Sequence, residues 1–83
     1  MPVILRILGY KFFFYQADLA NEPAHVHVGK DGNEAKFWLA PVKVAREGGF
    51  RKSDLRDIER IIDSNLEFLL NAWEKEKSKH VNG

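Results

Sequence analysis

The stretch from His25 to Leu39 constrains this chain more than any other. His25-Val26-His27-Val28-Gly29 and Glu34-Ala35-Lys36-Phe37-Trp38-Leu39 each alternate between polar and apolar character, with Lys30-Asp31-Gly32-Asn33 between them. A period of two marks a strand with one buried face. Asp-Gly is favoured between such strands because both central residues of the tight hairpin turn need positive φ. The segment therefore reads as an antiparallel hairpin that buries Val26, Val28, Ala35, Phe37 and Leu39. His25, His27, Glu34, Lys36 and Trp38 fall on the other face, which is read as uncovered.

The rest of the chain must supply what covers the apolar face. Val3 to Leu8 is apolar and β-branched apart from Arg6, Gly9 offers a turn, and Lys11-Phe12-Phe13-Phe14-Tyr15 follows, giving a second hairpin. Asp18 to Pro23 is a polar connection, and Pro23 keeps Glu22 extended. Strands are expected at residues 3–8, 11–16, 24–29 and 33–39. Pro41 ends or kinks the last of them, Val42 and Val44 extend a short edge segment, and Gly48-Gly49 is a break. Ser53 then reads as a helix N-cap with Asp54 beside the positive helix end. Leu55, Ile58, Ile62, Leu66, Leu69 and Trp73 recur at spacings of three and four, one apolar stripe on a helix over 53–76 that frays through Lys77, Lys79, His80 and Gly83. The expected fold is α+β: a four-stranded antiparallel meander packed against one long C-terminal helix, in a single domain over 1–83.

Composition bounds the function classes. The chain has no cysteine, which excludes disulfides and thiolate metal sites and fits a reducing, cytoplasmic home. Arg6 and Gly9 interrupt an apolar start too short for a signal peptide, and no run approaches a membrane span. A net charge of +1 sets up no global field toward nucleic acid or membrane, so such binding needs a local patch.

The chemistry concentrates on the face bearing His25 and His27. Imidazole transfers protons and binds metals near neutral pH, and two imidazoles at i and i+2 on a strand point the same way. Zinc or a similar ion would take both, plus a carboxylate from Glu34, Glu22 or Asp18. Metal-independent RNA cleavage would instead use one histidine as base, with Glu34 or the other histidine as acid. Arg6 and Lys36 would meet phosphate beside Trp38. The plain alternative is a solvated strand face on which these side chains merely suit an exposed sheet. Phe12 to Tyr15 alternate between core and surface, and outward aromatics there suit an interface with a partner or a second copy better than general nucleic-acid binding. Lys43, Arg46, Arg51, Lys52, Arg56 and Arg60 are diluted by nearby acids and read as solvated charge.

Leu5-Arg6, Gly9 through Tyr15, Asn21-Glu22-Pro23-Ala24-His25-Val26-His27-Val28, Glu34 through Leu39, Gly49-Phe50 and Leu55-Arg56-Asp57-Ile58 together resemble a family of small bacterial proteins, domain of unknown function 4160. Members tend to be encoded beside another small protein. The resemblance therefore implies one half of a two-protein module of toxin–antitoxin type, with the neighbouring protein, a second copy or RNA as partner. It brings no established catalytic residue or cofactor. The leading expectation is RNA binding or metal-independent cleavage through the histidine face. A non-catalytic interaction or regulatory module comes second and a metal-binding protein third.

Overall fold

The computed structural model describes residues 3–82, with side chains through 79. Met1, Pro2 and Gly83, which the expected domain and tail included, lie outside the described residues, as does the side chain of His80. One antiparallel sheet runs in the order β1 (Val3–Ile7), β2 (Tyr10–Phe13), β3 (His25–Lys30), β4 (Asn33–Leu39) and β5 (Val42–Arg46). Three helices accompany it: α1 (Gln16–Leu19), α2 (Lys52–Ser64) and α3 (Leu66–Asn82).

The central hairpin forms as its sequence dictates. Asp31 and Gly32 have φ of 51° and 83°, the two positive values of the tight turn. Its register sets His25 opposite Trp38, His27 opposite Lys36 and Gly29 opposite Glu34. On one face Phe12, Val26, Val28, Ala35, Phe37 and Leu39 are buried in a core shared with Leu55, Ile58 and Ile62 of α2 and Leu69 of α3. Burying this apolar surface is the main force that holds the domain together.

Four expectations need correction. The meander has five strands rather than four: past the cis Ala40–Pro41 peptide the chain returns as β5. That strand is an exposed edge with a register shift opposite Lys36/Phe37, so its residues Val42-Lys43-Val44-Ala45-Arg46 carry little alternation to read. The single helix over 53–76 is two helices. Asn65 ends α2 by donating its backbone N–H to the carbonyls of Ile61 and Ile62, at 3.1 Å each, and its side-chain amide to Ile61 at 2.8 Å. Its own carbonyl then accepts the N–H of Leu69 at 2.9 Å, starting α3. The α2 cap is Arg51 rather than Ser53, with its N–H donating to Asp54 Oδ2 at 3.4 Å.

The fourth correction matters most for function. The connection after β2 folds into the short α1, and the histidine face beneath it is covered where β3 begins. His25 and His27 are 0% and 4% exposed rather than open to solvent. No helix among the described residues is long and apolar enough to cross a membrane.

Candidate functional site: a buried two-histidine, one-carboxylate cluster

A buried imidazole needs polar partners, because a desolvated N–H or lone pair left alone costs free energy. Asp18 supplies them from α1, where the turn is closed by Glu22 N–H and Asn21 N–H donating to its carbonyl. Its Oδ2 lies 2.9 Å from His25 Nε2 and 3.1 Å from His27 Nε2. The three side chains offer ligand atoms that all lie within 4.8 Å of one another.

Aromatic rings enclose the pair. His25 packs against Trp73 and Trp38 with centroids at 5.0 and 5.5 Å, and His27 against Tyr15 and Phe13 at 4.5 and 5.7 Å. The side chains of Asp18 and Glu34 keep 20% and 37% exposure, so the cluster is reached from the α1 and β4 side rather than from an open sheet.

The electrostatics favour a cation among the three. Burial works to raise the Asp18 pKa, but hydrogen bonds with His25 and His27 outweigh it and hold the carboxyl below the usual carboxylate range. Asp18 is therefore anionic at neutral pH. Burial and the neighbouring His25 push His27 below the ordinary imidazole value against the pull of Asp18, which favours its neutral ring.

His25 fixes its own geometry. Its Nδ1 is 2.9 Å from the carbonyl of Pro23, which can only accept, so Nδ1 carries a hydrogen. A neutral ring would then aim the Nε2 lone pair at the Asp18 anion 2.9 Å away. That contact requires a positive species on the Nε2 side, either a second proton or a metal ion.

The other expected site residues divide. Glu34 Oε2 is 3.6 Å from His27 Nδ1, a buried atom without a hydrogen-bond partner, and both Glu34 oxygens accept from the Tyr15 hydroxyl at 2.9 Å. That bond, followed by burial, raises the Tyr15 pKa. Lys36 binds Glu22 at 2.6 Å and lies 4.5 Å from the centre of the Trp38 ring. Arg6 is exposed on β1 opposite Lys11, which pairs in turn with Gly29, and β2 separates it from the histidine strand β3, roughly 10 Å across the sheet at the usual strand spacing. It does not join the histidines. Asp18 stood in the sequence only as one of three carboxylates, and its place over β3 depends on a four-residue helix with no strong local signature.

The family model described as Domain of unknown function (DUF4160) matches residues 9–74. The chain belongs to this family. The match takes in β2 through β5, α2, the first half of α3 and every member of the cluster. No curated protein and no solved structure matches the chain.

Proposed function

We propose that this domain of unknown function is a metal-binding protein. It takes one divalent ion of the zinc class between Nε2 of His25, Nε2 of His27 and Oδ2 of Asp18. The observation that carries the reading is the hydrogen bond from His25 Nδ1 to the Pro23 carbonyl. It leaves Nε2 as the nitrogen free to ligate, with the lone pair of a neutral ring facing the Asp18 anion. Histidines that ligate metals commonly anchor the second nitrogen in this way on a backbone carbonyl. Ligands about 2.0–2.1 Å from a tetrahedral zinc lie about 3.3 Å from one another. The present nitrogen–oxygen separations of 2.9 and 3.1 Å are near that spacing, and all three ligand atoms lie within 4.8 Å of one another.

Three protein ligands leave a position for water or an exogenous group, as in catalytic rather than structural sites. Bound there, the metal would lower the pKa of that water. Glu22, tied to Lys36 at 2.6 Å, is a nearby carboxylate that could orient it. The test is zinc binding by the chelator-treated full chain. One equivalent is expected in the native protein and a loss of at least tenfold in affinity in His25→Ala and in Asp18→Asn. A folded native chain that leaves zinc in solution would refute the reading.

A second reading is a cytoplasmic two-protein module of toxin–antitoxin type acting on RNA. It is supported by the residues around the cluster: Arg6, Lys11, Lys36, Lys43 and Arg46 share the histidine face with Phe13 and Trp38. Single-stranded nucleic acids are held by such mixtures of cations and stacking planes. Co-purification with the neighbouring gene product and RNA binding by the purified chain test it. A chain that binds neither refutes it.

A further inference from the structure

His27 Nδ1 is a buried nitrogen with no hydrogen-bond partner in a cluster where every other ligand-bearing ring nitrogen has one. The atom nearest to repairing this is Glu34 Oε2, 3.6 Å away, just beyond hydrogen-bonding reach. We propose that Glu34 is the positioning carboxylate of the metal centre, held in place by Tyr15. When the ion arrives, Glu34 closes on His27 and accepts its Nδ1–H. The inference rests on the metal reading and assigns a role that the three ligands alone do not.

Proton bookkeeping motivates it. In the empty cluster a neutral His27 donates Nε2–H to Asp18, which leaves its Nδ1 lone pair facing the Glu34 carboxylate. With a metal on Nε2, the neutral ring carries its hydrogen on Nδ1 instead. The same pair of atoms then changes from two acceptors into a donor and an acceptor.

Three features prepare Glu34 for this. The Tyr15 hydroxyl donates to both of its oxygens at 2.9 Å, so Tyr15 can keep Oε1 while Oε2 turns to His27. The Arg46 guanidinium, 3.9 Å from Oε2, flanks the carboxylate from β5. Gly48 seats against the Glu34 backbone so closely that a Cβ there would overlap the Glu34 carbonyl, which fixes the strand beneath the carboxylate.

The experiment measures zinc affinity by chelator competition in the native chain, Glu34→Ala, Glu34→Gln, Tyr15→Phe and the double variant Tyr15→Phe/Glu34→Ala. Removing a carboxylate that orients a ligand typically weakens binding about 10–100-fold, and that loss is expected for Glu34→Ala. Glu34→Gln keeps an acceptor oxygen and should recover part of it. Tyr15→Phe should weaken binding in the native background and have no further effect in the Glu34→Ala background. Loaded native protein should also show a slowly exchanging His27 Nδ1 proton that Glu34→Ala lacks. Should the native chain bind zinc and Glu34→Ala bind it equally well, this proposal falls while the metal centre stands. A native chain that does not bind zinc removes both. Glu34→Gln covers the case in which Glu34→Ala does not fold.

Discussion

Replacing Gly48 by alanine should damage this protein far more than the same change at Gly32. Both residues have positive φ, +64° and +83°, so each alanine suffers the left-handed backbone penalty. That penalty is about 1–2 kcal/mol. The surroundings differ. At Gly32 an added Cβ meets nothing within 4 Å, whereas at Gly48 it lies 2.8 Å from the Ala35 nitrogen and overlaps the Glu34 carbonyl. The atoms it meets are backbone of β4 where that strand pairs with β3, so no flexible side chain can give way. Forced shifts in packed regions cost about 1–3 kcal/mol more. In a domain of this size 1 kcal/mol moves the melting temperature by about 4–8 °C. With about 2 kcal/mol between them, Gly48→Ala should melt about 8–16 °C below Gly32→Ala in thermal denaturation followed by circular dichroism. Glu34 lies at the point of collision, so Gly48→Ala should also weaken zinc binding while Gly32→Ala should not. Equal melting temperatures for the two variants would refute the steric argument.

Other consequences are open to measurement. Ile62 is fully buried between helix and sheet, so Ile62→Ala should cost about 2–5 kcal/mol in urea denaturation. Burial, aided by Asp54, Asp57 and Asp31, raises the Tyr10 pKa. Folding thus favours the neutral phenol. That stability is fully present below the unfolded value of about 10 and is lost as pH rises toward the folded value. Tyr10→Phe should flatten the decline in melting temperature above pH 10, and an unchanged decline would count against the burial argument. Leu8 is 75% exposed with φ of 52°, a strained backbone with almost nothing to hold it there. Leu8→Gly should raise stability by about 0.5–1 kcal/mol, and a lower melting temperature would contradict the strain.

The period-two alternation and the Asp31-Gly32 turn make the central hairpin legible, and the spacing of Leu55, Ile58, Ile62, Leu69 and Trp73 makes the helical cover legible. The helix break at Asn65 is hidden because the apolar stripe keeps its spacing across it. A single asparagine turning its amide back on Ile61 leaves no mark in periodicity. The fifth strand is hidden for the opposite reason: an exposed edge has no buried face to impose alternation. The cover over the histidine face is hidden because it is local and short, one helical turn carrying Asp18 together with Trp73 arriving from the far end of the chain. Sequence alternation reports which face a side chain takes and says nothing of what later packs over it. His25, His27 and Glu34 do come together, and Lys36 and Trp38 lie beside them. Arg6 does not, because strand position alone separates it.

The most direct test of the metal centre is nitrogen-15 NMR of the histidine rings during zinc titration of the full chain. The account predicts saturation at one equivalent, with Nε2 of both His25 and His27 taking on metal-bound shifts while His25 Nδ1 keeps its hydrogen and His27 Nδ1 gains one. Coordination through Nδ1, or rings unchanged by zinc in a folded chain, would contradict it.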